Sequence, residues 1–191
     1  MAEEMYHIYN RAVGSESLFK SDRNYQHFLS KYDKYISPVA DTFCYCLMPN
    51  HFHLLLKIKD LNYLSSVLKI DNAHSNNQIS QQFSNFFNAY TKAYNKENRR
   101  LGSLFMKPFK RKLIKDEKYL KKVVHYIHYN PVKASIAEKP EDWKYSSYKS
   151  IIVDGETKLN KQKVISWFDD IGNFISCHSL PPSESGIDYF L

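Results

Sequence analysis

The stretch "DTFCYCLMPNHFHLLLKIK" constrains the fold more than any other part of the chain. Two apolar, aromatic-rich runs are separated only by Pro49-Asn50, both turn formers, so the segment predicts an antiparallel hairpin. Side chains alternate along a strand, and residues two apart share a face. His51 and His53 therefore project together while Phe52 points the opposite way. Two imidazoles on one rigid strand can hold a divalent ion between them, and the alternative is a pair of histidines satisfied by backbone groups. A third partner has to decide between these.

Around the hairpin the periodicity changes. "EMYHIYNRAV" has strand character, and Ser21-Asp22 open a helical pattern carried by Tyr25, Phe28, Leu29, Tyr32 and Ile36. A short helix is expected around Leu61 to Ile70, then the polar stretch "DNAHSNNQ", then a long amphipathic helix with Ile79, Phe83, Phe86, Phe87, Tyr90 and Tyr94 on one face. That aromatic stripe reads as core. Leu104 to Ile114 reads as a strand interrupted at Pro108. Asp116-Glu117 open a further helix with an apolar stripe of Leu120, Val123, Val124 and Ile127, expected to stop at Pro131. Tyr119, Tyr126 and Asn130 lie on one flank of that stripe, and Tyr126 and Asn130 are one turn apart. Beyond Ala134, "EKPEDWKYSSYKS" reads as loop, with serines Ser146 and Ser147 in structural roles, followed by weak helical character at Val164 to Phe168 and a tail.

A chain of 191 residues favours one compact domain. The apolar runs are too short to cross a bilayer and the start lacks a signal-peptide core, so a cytoplasmic location with no membrane partner is expected. Cys44, Cys46 and Cys177 form no C-x-x-C pair and read as reduced structural thiols. The net charge of +7 is local: Lys92 to Lys122 holds twelve Lys or Arg against three acidic residues, which leaves the rest slightly acidic. This basicity is interleaved with aromatics in "YNKENRRLGSLFMKPFKRKLIK", a pattern suited to neutralising phosphates and stacking unpaired bases. Arg99, Arg100, Lys107, Lys110, Arg111 and Lys112 are the expected nucleic-acid contacts, the alternative being a solvated basic loop or a patch for an acidic partner.

Four separated motifs, "YHIYNR", "CLMPNHFHLLLK", "YLKKVVHYIHYNPVKA" and "WKYSSY", together resemble the single-tyrosine HUH transposases, in particular the REP-associated tyrosine transposases and their IS200-like relatives. The resemblance covers roughly Met5 to Ser150. It implies an α+β, ferredoxin-like sandwich with helices packed on a central antiparallel sheet, a transposase domain over 1–150 and an extension over 151–191. It also implies that His51, His53 and Asn130 hold a divalent metal, Mg²⁺ or Mn²⁺, with no nucleotide cofactor. Tyr126 matches the nucleophile that cuts and rejoins single-stranded or hairpin DNA through a 5'-phosphotyrosine link, in a protein acting as a monomer or homodimer. Tyr119 and Tyr129 are rival nucleophiles. The segment after Gly102 departs from the family's commoner glutamine-glycine-arginine pattern, with Met106, Lys107 and Pro108 in its place, so that phosphate binding falls to Lys110, Arg111 and Lys112. Two other functions fit the residues: a DNA-binding regulator of the same fold without catalysis, and a metal-dependent hydrolase in which water attacks.

Overall fold

Met48 and His51 face each other across an antiparallel pair, so Pro49-Asn50 form the two-residue loop of the expected hairpin. The computed structural model describes residues 4–69 and 75–183. Its elements are β1 (Met5–Arg11), α1 (Asp22–Tyr35), β2 (Ala40–Met48), β3 (His51–Ile58), α2 (Leu61–Leu68), α3 (Ser75–Glu97), β4 (Lys110–Leu113), α4 (Glu117–Lys133), a 3-10 turn (Pro140–Asp142), α5 (Tyr148–Ile152), α6 (Lys161–Ser166) and α7 (Ile171–His178). The strands form one antiparallel sheet in the order β2-β3-β1-β4. This is a mixed α+β domain with a four-stranded sheet packed by helices.

The sheet is covered on both faces, which explains why β3 reads as a nearly unbroken apolar run. One face carries Ile8, Phe52, Leu54 and Leu56 and packs against the aromatic stripes of α1 and α3, including Phe28, Phe86 and Tyr90. The other face carries Cys44, Cys46, Met48 and Leu55 and packs against Leu120, Val123, Val124 and Ile127 of α4. Tyr90 and Tyr94 bury their rings in the first core and donate their hydroxyls to the carbonyls of Leu18 and Ser17, so these large side chains leave no stranded polar group.

Three sequence expectations change on contact with the structure. Pro131 does not stop α4, which runs to Lys133. The proline removes only the one backbone donation that its nitrogen would make, and the helix ends two residues later at Lys133, with Ser135 turning left-handed at φ 55. The strand expected over Leu104 to Ile114 is a single bridge from Phe105 to Ala12 followed by β4. The C-terminal segment is more helical than its sequence implies: Trp167, Phe168 and Phe174 join the core beneath α4, with the Trp167 ring 5.1 Å from that of Phe43. Much of "DNAHSNNQ" and the last residues of the tail lie outside the described residues.

Candidate active site

The register of β1 against β3 assembles the site. His53 lies opposite Tyr9, His51 opposite Arg11, and Leu55 opposite His7, so His7, Tyr9, Arg11, His51 and His53 share the face that looks toward α4. β4 extends this face on the other side of β1, pairing Lys112 with His7 and Lys110 with Tyr9. Arg111 pairs with Ile8 and belongs to the opposite face. The basic run expected to act as one group is therefore split between two faces by strand alternation.

His51 and His53 are each held by one nitrogen. His51 Nδ1 lies 2.7 Å from Asn50 Oδ1, and an amide oxygen only accepts, so this nitrogen carries the proton. His53 Nδ1 lies 3.0 Å from His7 Nε2 in a fully protein-enclosed contact. Both remaining nitrogens, Nε2 of His51 and of His53, are buried without a hydrogen-bond partner. A buried polar atom left unpaired is costly, and two such nitrogens on neighbouring side chains of one strand face are available to a ligand, whereas His27 Nε2 and Gln78 Oε1, also unpaired, are single atoms on α1 and α3. The residues thus fit a divalent ion.

Burial governs the protonation of all three imidazoles. It drives His7 down to about 3, with the Lys112 charge adding to the effect. It drives His51 down to about 4, opposed by the nearby Asn130 amide and assisted by Arg11. His53 is pushed well below the ordinary value by burial first and by His7 and His51 second. Neutral imidazoles with a lone pair on Nε2 are the form a metal needs.

α4 supplies the rest. Its N-terminus is capped by Asp116, whose side chain accepts from the Tyr119 amide at 2.7 Å. The ring of Tyr126 meets the ring of His53 edge-on at 5.2 Å and that of His7 at 6.2 Å. Asn130, one turn on, donates from Nδ2 to the Tyr126 carbonyl at 2.8 Å, an arrangement that fixes the amide and leaves its oxygen available as an acceptor. Its proximity to His51 is what raises that group against burial, although it makes no hydrogen bond to His51 Nε2. Tyr119 instead lies under the Lys112 ammonium, 4.8 Å away, and Tyr129 packs against His125 at 5.8 Å. Among the described residues, no group of three His, Cys, Asp or Glu is placed to hold a metal, so a metal bound here would have two imidazoles and an amide from the chain.

The expected DNA contacts scatter. Lys107 and Lys110 are exposed, and Lys112 is half-buried at the rim of the site. Arg99 is exposed with a left-handed backbone, φ 49. Arg100 has a different role: its guanidinium donates to Asn95 Oδ1 at 3.1 Å and the Ser103 carbonyl at 2.8 Å and pairs with Glu16 at 3.2 Å, bracing the turn after α3. Ser147 is structural as read, its Oγ lying between the Tyr45 amide at 2.8 Å and His128 Nε2 at 2.8 Å. Cys44 and Cys46 are buried free thiols, held protonated by burial. Sequence reasoning missed His7, Asn50 and Arg11. The period-two argument that joined His51 to His53 applies equally to "YHIYNR", but it needs the pairing of β1 with β3, which no local pattern contains.

No family model matches the chain. It is 32% identical over 110 residues to the "Putative REP-associated tyrosine transposase" of Haemophilus influenzae, a match covering 56% of this chain and 58% of that protein. Among solved structures it resembles a REP-associated tyrosine transposase bound to a REP hairpin, with a TM-score of 0.56 and 16% identity over 82% of this chain and 88% of the other. Among the described residues, no helix is long and apolar enough to cross a membrane.

Proposed function

From its homology and common fold with REP-associated tyrosine transposases, we propose that this protein nicks and rejoins single-stranded or hairpin DNA with Tyr126 as nucleophile. The observation that carries the reading is the pair of orphaned, buried Nε2 atoms of His51 and His53 beside the Tyr126 ring. With the Asn130 oxygen they would hold one Mg²⁺ or Mn²⁺, which when bound supplies positive charge to the non-bridging oxygens of a phosphodiester. No nucleotide cofactor enters.

The chain's own residues position the reaction. The apolar stripe of α4, from Leu120 to Ile127, anchors the helix against β2 and β3, so the Tyr126 phenol is presented to the histidine face from a fixed support. Arg11, opposite His51 at the exposed end of β1, adds a cation for the phosphate. Tyr126 Oη attacks phosphorus: the Oη–P bond forms, the P–O3' bond breaks, the phenolic proton passes to solvent and the 3' oxygen leaves as a hydroxyl. The 5' phosphate stays on the tyrosine, conserved for transfer to another 3' hydroxyl rather than lost to water. Lys110 and Lys112 line the path of the strand on the site face. Arg100, bound within its own turn, has no part in this.

The order β-α-β-β-α-α-β, in which α2 and α3 together make the second crossover, with strands 2-3-1-4 supports a ferredoxin-like sandwich as the scaffold. We assign residues 1–150 to the catalytic unit and 151–191 to an extension whose helices brace the back of α4. The test is denaturing electrophoresis after incubation with labelled hairpin DNA and Mn²⁺. Tyr126→Phe removes one oxygen, and the covalent adduct is expected to vanish while folding and DNA binding persist. An adduct that survives in Tyr126→Phe and disappears in Tyr119→Phe or Tyr129→Phe overturns the assignment.

A further inference from the structure

On the face of the sheet away from Tyr126, α3 and the segment 102–109 leave an open groove with a volume of about 720 Å³. Its floor is aromatic. Phe87 lies 5.0 Å from Phe105 and 5.5 Å from Phe109, ring centre to ring centre, and all three line the groove. Its walls are polar but uncharged on the α3 side, where Asn88 is exposed, and Lys107 stands exposed at the opposite lip. No carboxylate is among the lining residues. The wall at 102–109 is pinned to the sheet by Asn10, whose Nδ2 donates to the Met106 carbonyl at 3.0 Å and whose Oδ1 accepts from the Arg11 amide at 2.9 Å.

An apolar floor of rings inclined at 50° and 54° to Phe87, of which Phe109 is the most accessible, neutral hydrogen-bonding walls and one cation at the lip suit a planar heteroaromatic ring with polar edges, attached to a phosphate. A paired base cannot enter such a concavity, because its edges and faces are already occupied in the stack; an unpaired one can. The place is also suitable. Asn10 is the neighbour of Arg11, which pairs with His51, so the groove opens at the same end of the sheet as the histidines and on its other side. Lys110 is on the edge strand β4, three residues along the chain from Lys107 at the groove's lip.

We propose that this groove binds an unpaired nucleobase of the DNA strand beside the cut phosphate, stacking it on the phenylalanine floor while Lys107 meets its phosphate. The proposal rests on single-stranded DNA being the substrate. It makes the groove, rather than the histidine face, the place where one base is distinguished from its absence.

The experiment is done in EDTA, so that binding is read without chemistry. Labelled single-stranded DNA of the hairpin's flank is scanned with single 5-iododeoxyuridine substitutions, photo-cross-linked and mapped by peptide mass spectrometry; the same positions are then made abasic and affinities measured by anisotropy. One position is expected to cross-link to Phe105, Met106 or Phe109, and its abasic form to bind wild type about tenfold more weakly. Asn88→Trp, which fills the groove from an exposed helix position, should weaken the intact strand and erase the abasic difference; Lys107→Gln should weaken both strands alike. Cross-links confined to the histidine face, or indifference to abasic substitution at every position, overturns the proposal. Those results together with a Tyr126 adduct in Mn²⁺ would remove the groove alone. Groove cross-links without any adduct would retain the groove and remove the catalytic reading.

Discussion

Two groups of buried histidines touch α4, and they differ in one respect. On the sheet side, His51 and His53 each hold one nitrogen in a hydrogen bond and leave Nε2 orphaned. On the side of α7, every ring nitrogen is met: His128 by His178 Nε2 at 3.1 Å and Ser147 Oγ at 2.8 Å, His178 also by the Phe174 carbonyl at 2.7 Å, and His125 by the Leu180 carbonyl at 2.8 Å and Cys177 Sγ at 3.5 Å. Burial lowers the proton affinity of both groups, taking His178 to about 3 and His51 to about 4. A depressed histidine pKa therefore does not separate a site from a scaffold in this molecule. What separates these two clusters is unmet hydrogen-bonding capacity, which His27 Nε2 on α1 and Gln78 Oε1 on α3 also show singly; a finished network has no valence left for a ligand.

The comparison is most directly broken at the ligands themselves. His53→Ala is expected to abolish the Mn²⁺-dependent rise in melting temperature and reduce adduct formation by more than the ~100-fold typical of losing an outer partner, with the apo fold retained. A variant that still binds Mn²⁺ and forms adduct normally would show that the orphaned nitrogens are a packing accident. At the α7 cluster the reverse is expected. His178→Leu strands His128 Nδ1 and should cost about 1–3 kcal/mol of stability in urea unfolding, while Mn²⁺ still raises its melting temperature. Loss of that response with the fold intact would join the two clusters into one site.

How much of this was legible in the sequence follows the range of each signal. Strand alternation and a two-residue turn are local, so the hairpin and the shared face of His51 and His53 could be read directly. One helical turn is also local, and it linked Tyr126 to Asn130. Pairing between distant strands is not local, and His7 became visible only when β1 was seen opposite β3. The same limit hid the division of Lys110 and Lys112 from Arg111, because a basic run carries no record of which face its strand presents. Arg100 looked like a phosphate contact because composition counts charges and not their partners. α7 was missed because "IGNFISCH" is only eight residues long with a glycine in its first turn, and its stability comes from Phe174 and His178 packing beneath α4 rather than from helix propensity.

His7 sharpens the comparison from within the site. It belongs to the same buried group but binds no ligand; through its 3.0 Å contact it holds the ring of His53 with Nε2 facing inward. His7→Ala is expected to weaken Mn²⁺ binding by about 10- to 100-fold, measured by calorimetry, with His7→Gln recovering part of the loss through a side-chain amide that can still reach His53. Equal affinities in the three proteins would mean that packing alone orients His53.

The smallest effect concerns pH. A histidine buried in the neutral form takes up its proton only on unfolding, so below its ordinary value of ~6.5 the unfolded chain binds more protons than the folded one and stability falls as pH drops. For His178 the window runs from ~6.5 down to about 3, and within it the group contributes at most ~1.4 kcal/mol per pH unit. Its neighbours do not neutralise the effect: His125 and His128 are also held neutral by burial, and the Cys177 thiol is pushed up and stays protonated, with Lys121 opposing that rise. Urea midpoints measured on EDTA-treated protein between pH 7.5 and 5 should therefore decline for wild type and decline less steeply for His178→Leu. Parallel slopes would mean that His178 is already charged in the folded protein. The cluster would then be neither dry nor complete, and the contrast with the orphaned nitrogens of His51 and His53 would rest on hydrogen bonds that solvent also supplies.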